Sequence, residues 1–276
     1  MGRLRDDFAA LVAPGERADL ARSALAIARI AYPALDPGPS LAELDGIAAA
    51  VQKRLAPRTP PVDVATALAA HLFRECGFRG NQDDYYDPRN SFLNDVLERR
   101  LGIPISLSIV FLETGRRLGL SLEGVGFPGH FLVRLAQRDR PLLLDPFFGG
   151  QPIGEADLLA RYRALAGTEA PALPGDALDR TGTPGILARM LRNLLRIYLD
   201  REDHPHALET VDLLLVLQPD TAAEVRLRGL LYEQLECGPA ALVDFRRYLE
   251  LAPEAADADQ VRTRIARLAR GAATVH

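Results

Sequence analysis

The sequence predicts an α+β protein, in which a helical N-terminal region leads into a core with a small antiparallel sheet and an all-α segment follows. Three observations support this fold class. Apolar residues recur at helical spacing through the first part of the chain. Short apolar runs bounded by turn residues then indicate strands. Towards the C-terminus the helical pattern returns and repeats with a fixed period.

The N-terminal region is predicted to contain four helices, separated by turns rich in Pro and Gly, at 9–12, 18–32, 41–55 and 62–76. Ser40 is predicted to cap the third of them, because a Glu stands at the third helical position. A polar loop with aromatic residues follows at 77–90.

Two further helices are predicted after this loop. The first begins at Asp87-Pro88 or at Asn90-Ser91, both of which are good helix starts, and continues through Arg99. The second is an apolar helix over 105–118, with Ser106 near its beginning.

The sheet is predicted from three apolar runs, at 122–127, 131–135 and 142–144. His130 borders the second run and Asp145 follows the third, and the turn between these strands is predicted around 138–141. A His on one strand can form a hydrogen bond with an Asp on its hairpin partner. That pair would be the base and its orienting carboxylate in a catalytic triad.

The C-terminal segment shows matched residues at a spacing of 34, which is the period of the tetratricopeptide repeat. The clearest pairs are Tyr198 with Tyr232, Ala207 with Ala241, and Pro219 with Pro253. The predicted domains are therefore a helical region plus core, a linker rich in Pro, Gly and Ala, and two repeats with a capping helix, at 1–166, 167–184 and 185–276.

Composition and charge argue against several functional classes. The net charge is −4 without a basic stripe, so we expect no nucleic-acid binding. The chain has no apolar stretch of membrane-spanning length and no apolar signal core at its start, so a cytoplasmic protein without a membrane partner is expected. Its two cysteines cannot form a disulfide scaffold. No property of the sequence predicts the oligomeric state.

Four motifs stand in the middle of the chain: GNQDDYYDPRNS at 80–91, RLGIPISLS at 100–108, LEGVGFPGHFLVR at 122–134 and DPF at 145–147. With these motifs the chain resembles the transglutaminase-like superfamily, and most of all the bacterial invasion-regulator (SirB) family, which joins such a core to tetratricopeptide repeats. The resemblance implies a papain-like α+β core. It also implies a regulatory role.

The resemblance implies a triad with one departure. The superfamily places a Cys at the start of a buried helix, where the helix dipole stabilises a thiolate, then a His and an Asp on successive strands. His130 and Asp145 match the last two residues, but the stretch 103–108 contains no Cys. Ser106 and Ser108 are the nearest candidates. A serine must lose its proton during attack, which needs an aligned base and an oxyanion hole.

The predicted binding residues are polar and aromatic side chains of the 77–90 loop and of the apolar helix: Asn81, Tyr85, Tyr86, Arg89, Asn90 and Ser108. For the polar members, capping and turn roles are the alternative. Asp203-His204-Pro205-His206 resembles a metal cluster but lacks a fourth ligand, and neither a metal nor a cofactor is expected. Cys76 follows a helix, with Gly77 as its C-cap, and is a poor nucleophile candidate.

Three functional hypotheses follow. In the first, the protein is a non-catalytic module that binds a protein or peptide through the core cleft and the repeats. In the second, Ser106, His130 and Asp145 form an active hydrolase or acyltransferase that acts on amide or ester bonds. In the third, His130 and Asp145 only brace the hairpin. The position of the Ser106 hydroxyl distinguishes the first two, because a hydroxyl used in its own helix cap is not available for attack.

Overall fold

The computed structural model of the chain describes residues 2–136, 141–166 and 172–273. Internal contacts divide the chain into two compact units, 13–190 and a second unit that joins 1–12 to 191–276. This division differs from the predicted boundaries at 166 and 184, because the core sheet takes a strand from the predicted linker and the first helix packs with the repeat helices. Of the predicted turn at 138–141, only Pro141 lies within the described residues.

The N-terminal region is helical, and its helices are α1 (Gly2–Val12), α2 (Leu20–Ala28), α3 (Gly38–Gln52) and α4 (Pro61–Ala69). A π-helical turn over Ala70–Glu75 continues α4. The prediction of Ser40 as a cap is wrong, because α3 begins two residues earlier and encloses it. Pro39 in the first turn favours this earlier start, since its fixed φ suits the first helical positions.

The next segment contains the strands β1 (Arg79–Gly80) and β2 (Leu101–Gly102), which pair in parallel, and the helices α5 (Leu93–Arg99) and α6 (Pro104–Arg117). The single helix predicted from Asp87 or Asn90 is wrong. Asp87 caps a short 3-10 helix over Pro88–Asn90, and extended backbone at Phe92 separates it from α5.

The core sheet has five antiparallel strands, β3 (Leu122–Val125), β4 (Leu132–Leu135), β5 (Leu142–Asp145), β6 (Gln151–Pro152) and β7 (Arg180–Thr181). Their order is β6-β5-β4-β3-β7, so the three predicted strands form its centre. The helix α7 (Glu155–Ala166) follows β6 in the chain. The α+β core with a small antiparallel sheet is thus confirmed.

The central helix α6 is buried and packs on β3 and β4 as well as on α3, α4 and α5. Gly115 allows the close approach of α6 to the sheet, because a Cβ at this position would lie 2.2 Å from Leu122 Cδ1. Burial of most of α6 therefore explains the apolar composition of 105–118.

The C-terminal helices are α8 (Thr183–Asp200), α9 (His204–Leu217), α10 (Ala222–Gln234), α11 (Gly238–Leu251) and α12 (Ala258–Ala273). They alternate with short turns, as the 34-residue period predicts. Gly229 permits the close crossing of α10 and α11, since a Cβ there would lie 2.8 Å from a Phe245 ring atom. Among the described helices, none is both long and apolar enough to span a bilayer.

Candidate functional site

His130 and Asp145 lie side by side, as the sequence predicts. His130 stands in a turn immediately before β4, where its backbone N–H donates to Phe127 O, and not within a strand. Its ring Nε2 is 2.9 and 3.0 Å from the two carboxylate oxygens of Asp145. Asp145 ends β5, is only 2% exposed and also accepts from the backbone N–H groups of Phe147 and Phe148. A buried carboxylate with three donors orients the imidazole firmly.

A third side chain completes the cluster. Arg161 on α7 donates through Nη1 to Asp145 Oδ2 at 2.5 Å, and its guanidinium lies 4.8 Å from the centre of the Phe148 ring. Burial opposes ionisation of Asp145, but the hydrogen bonds and charges of His130 and Arg161 outweigh it and hold the pKa of this carboxyl below its usual value. No motif in the sequence indicated Arg161, because it lies on α7, which follows β6 in the chain.

The second nitrogen of His130 remains open. Among the described residues, the ring makes its hydrogen bonds only through Nε2. The side chain is 12% exposed and packs against both Phe147 and Phe148, with ring centroids 5.9 and 6.0 Å away. Because Nε2 donates to the carboxylate, Nδ1 is the acceptor of the neutral ring. Nδ1 could therefore accept a hydrogen bond from a bound ligand.

Ser106 lies in the first turn of α6 and is 1% exposed. Its Oγ accepts a hydrogen bond from Ile103 N at 3.0 Å and donates one to Asn90 O at 2.6 Å. The hydroxyl proton is thus used inside the protein, and His130 is not among the described partners of this oxygen. This is the helix-start role that was the alternative to a nucleophile.

Ser108 is not presented to a ligand in this structure. It is fully buried one turn into α6, and its Oγ has no hydrogen-bond partner among the described atoms. Among the described residues, no base lies within hydrogen-bond distance of this hydroxyl to take its proton. The structure therefore brings His130 and Asp145 together and leaves both candidate serines outside the pair.

The polar side chains of the 77–90 loop hold the loop itself. Asn81 donates to Asn90 Oδ1 at 3.0 Å, and Asn90 donates to Asp84 O at 2.7 Å. Arg89 pairs with the buried carboxylate of Asp87 at 2.8 Å. These contacts correspond to the turn and capping roles considered above. Of the predicted binding residues, Asn81, Arg89 and Asn90 thus shape the site by bracing its loop.

The aromatic residues of this loop form a continuous row with the site. Tyr86 contacts Tyr85 edge to face at 5.3 Å between ring centroids, Tyr85 contacts Phe147 at 6.2 Å, and Phe147 contacts both His130 and Phe148. We call these five residues the aromatic row. Tyr86 is 53% and Phe148 is 49% exposed. Large aromatic side chains that are half exposed around a polar group are typical of binding surfaces.

Gly80 is the residue that allows the aromatic row to close against the core. A Cβ at Gly80 would lie 2.5 Å from a ring atom of Phe147, so a larger residue would displace this ring.

Beside the row, a cleft of about 350 Å³ opens next to Asp145 and Arg161. Its other lining residues are Phe148, Gln151, Pro152, Ile153, Asp157 and Ala160. The size of the cleft suits a side chain or a short peptide segment.

The remaining candidate residues have local roles. Asp203 accepts from His206 N and from His206 Nδ1, which makes it the cap of α9. Among the described residues, no group of three His, Cys, Asp or Glu side chains is arranged to hold a metal ion. Cys76 lies 3.6 Å from His71 Nε2, but burial raises the pKa of the Cys76 thiol. A raised pKa keeps the sulfur protonated and weakly nucleophilic near neutral pH.

Comparison with known protein families agrees with this architecture. The profile of the transglutaminase-like superfamily matches residues 39–192, which include α6, the core sheet and the pair of His130 and Asp145. A tetratricopeptide-repeat profile matches residues 194–266. No solved structure is significantly similar to the chain.

Bacterial relatives cover the chain more fully. A UPF0162 protein of Xylella fastidiosa is 46% identical over 71% of this chain and 70% of its own length. A UPF0162 protein of Pseudomonas aeruginosa is 33% identical over 91% of both chains. Human F-box only protein 21 is 34% identical over 64% of this chain, although the match covers only 29% of that protein. The chain therefore belongs to the transglutaminase-like superfamily, among the UPF0162 proteins.

Proposed function

We propose that the protein is a non-catalytic regulatory module of the cytoplasm, which binds a protein or peptide segment in the cleft of its transglutaminase-like core and uses its repeats as a second binding surface. One observation carries this proposal. The Ser106 hydroxyl is used in the start of α6, whereas Tyr86 and Phe148 of the aromatic row are about half exposed. The site thus lacks an available nucleophile but retains a surface for a ligand.

Binding by the core is supported by the chemistry of the aromatic row. Tyr86 and Phe148 offer large apolar faces, and the open Nδ1 of His130 offers one hydrogen-bond acceptor in the same row. Peptide-binding sites commonly combine apolar contacts with a few fixed polar groups. The repeats support the same class of function, since stacked helix pairs usually bind proteins or peptides.

The alternative is an amide or ester hydrolase or acyltransferase that uses Ser106, His130 and Asp145. The fixed orientation of His130 and the lowered pKa of Asp145 favour it, because both are features of a working base. Ser106 would first have to leave its bonds to Ile103 and Asn90. Breaking buried hydrogen bonds of this kind costs about 1–3 kcal/mol for each unsatisfied group. The third hypothesis, in which His130 and Asp145 only brace the hairpin, gives no function to the exposed aromatic side chains of the row.

Tyr86→Ala is expected to weaken peptide binding about tenfold or more, because an exposed aromatic anchor commonly contributes over 1 kcal/mol to an interface. The probe is a library of N-acetylated hexapeptide amides, whose binding is measured by affinity selection and then by calorimetry for selected members. The free energy of unfolding should change by no more than about 0.5 kcal/mol, as expected for a surface site.

Val62→Ala is the matched control, since Val62 is also an exposed apolar residue of the core unit and lies outside the aromatic row. It should bind the selected peptides as the unaltered protein does. Equal binding by Tyr86→Ala and the unaltered protein would contradict the proposal that the aromatic row is the binding surface. So would the absence of any selected peptide.

A further inference from the structure

Arg189 is anchored to the same turn that carries His130. It lies near the beginning of α8, within the core unit. Its Nη2 donates to Phe127 O at 3.0 Å and to His130 O at 2.6 Å. The guanidinium also stacks over Phe131, 5.5 Å from the ring centroid. These contacts fix the guanidinium against the backbone of His130.

The charge of Arg189 has no carboxylate partner among the described residues. Other arginines of the core have one: Arg134 pairs with Glu123, Arg117 with Asp45 and Arg161 with Asp145. Burial lowers the pKa of Arg189, and the only ionisable group that opposes this shift is Tyr85. Because burying an unpaired charge is costly, buried guanidinium groups normally meet an anion.

The guanidinium retains hydrogen-bonding capacity for such an anion. Arginine offers about five N–H donors, and both described bonds of Arg189 use Nη2 alone. Nη1 and Nε therefore have no described acceptor. The guanidinium fork matches the two oxygens of a carboxylate.

Arg189 also lies next to the aromatic row. The backbone oxygen of His130, a member of the row, accepts from it directly. Burial raises the pKa of Tyr85, and the positive charge of Arg189 opposes this rise. One ligand could therefore contact the row and Arg189 together.

We propose that Arg189 is a carboxylate subsite beside the aromatic row, so that the segment bound along the row carries an acidic side chain or a C-terminal carboxylate. This inference rests on the proposed peptide binding and gives its partner a chemical class. Arg189 supplies the charge, and the aromatic row supplies the apolar contacts. Acidic peptides would bind more tightly than their neutral isosteres, because with a neutral ligand the half-buried cation would lack a charged partner.

The test uses the full chain and two matched sets of peptides. The first set consists of N-acetylated hexapeptide amides that differ at one position, Asp against Asn or Glu against Gln. The second set consists of hexapeptides without Asp or Glu, each made as the free acid and as the amide. The acidic member of a pair should bind about tenfold tighter or more, as expected for a charge-assisted contact. The set that shows the preference identifies the source of the carboxylate.

Arg189→Gln should abolish this preference while leaving weak binding of both members of a pair through the aromatic row. Arg134→Gln is the matched control and should keep the preference, because Arg134 already has Glu123 as its partner. If Arg189→Gln fails to fold, Arg189→Lys replaces it and should retain a reduced preference. The preference of the unaltered protein should also fall as NaCl rises from roughly 0.05 to 0.5 M, because salt screens an ion pair.

The outcomes separate this inference from the proposed function. If peptides bind and depend on Tyr86, but acid and amide bind equally or the preference survives in Arg189→Gln, the carboxylate subsite is wrong and the binding function stands. A preference that does not change with salt contradicts the subsite as well. If no peptide of either set binds to the unaltered protein, both proposals fail together.

Discussion

Asp145→Ala is expected to lower the free energy of unfolding by about 3 kcal/mol, since removing one partner of a buried ion pair leaves the other charges and donors without compensation. The carboxylate is almost completely buried and receives His130, Arg161 and two backbone N–H groups. Asp145→Asn keeps one acceptor oxygen and should cost less. Urea unfolding followed by circular dichroism measures the loss, and hydrogen exchange of β4 and β5 locates it.

Asp83→Ala provides the control for this experiment, because Asp83 is an exposed carboxylate in the neighbouring loop. It should change the free energy of unfolding by no more than about 0.5 kcal/mol. A loss below about 1 kcal/mol for Asp145→Ala, comparable with an ordinary hydrogen bond, would contradict the view that Asp145 organises the site.

The same carboxylate gives the stability a defined dependence on pH. Its pKa is lowered in the folded protein by His130 and Arg161, which outweigh the effect of burial. Its contribution is therefore complete above the unfolded-state pKa of about 3.9 and is lost as the pH falls through the lower folded value. The measurement compares the free energy of unfolding of Asp145→Asn and of the unaltered protein from neutral to acidic pH. The difference between the two should shrink only below a pH of about 3.9.

Arg228→Met is expected to lower the free energy of unfolding by a similar amount in the second compact unit, which contains the repeats. Arg228 on α10 donates through Nε and Nη2 to the buried carboxylate of Asp244 on α11, both at 2.7 Å, and through Nη1 to Asp212 on α9 at 2.8 Å. Burial works to lower the pKa of Arg228, but the bonds to these carboxylates outweigh it and raise the pKa. Methionine retains much of the side-chain volume but leaves the buried carboxylate of Asp244 without a charged partner. This should lower the free energy of unfolding by about 3 kcal/mol or more.

A second substitution separates the charge from the packing. Arg228→Met combined with Asp244→Leu should recover part of the lost stability, because replacing a whole buried pair by apolar residues is often nearly neutral. Arg262→Ala removes an exposed ion pair with Asp259 in the same unit and should cost less than about 1 kcal/mol. Hydrogen exchange of α10 and α11 measures the effects of Arg228→Met and of the double substitution, and that of α12 measures the effect of Arg262→Ala. Equal losses for Arg228→Met and Arg262→Ala would contradict this role of Arg228.

The fold was predictable wherever a periodic pattern was long enough to read. The repeat helices α8 to α11 follow from residues matched 34 apart, and the central strands follow from apolar runs that end at turn residues. The strands β6 and β7 have two residues each, which is too short for a period of two to be visible. The break at Phe92 is a feature of the backbone, and no residue type signals it in the sequence.

The candidate site was predictable for the residues that lie close in sequence. His130 and Asp145 are joined by one hairpin, so strand pairing alone brings them together. Arg161 and Arg189 reach the site from α7 and α8, through side chains whose direction depends on tertiary packing. For Ser106, the sequence allowed both a nucleophile and a helix-start role. Only the observed bond to Asn90 O shows which role its proton has in this structure.

The most direct test of a cleft that binds without turnover is mass spectrometry of the selected peptides and of the intact protein after prolonged incubation together, performed with the unaltered chain and with Ser106→Ala. We expect both proteins to return every peptide at its original mass and to carry no covalent adduct. Peptides cleaved, deamidated or transferred by the unaltered chain but not by Ser106→Ala, or an acyl group on Ser106, would contradict it and identify a hydrolase or acyltransferase.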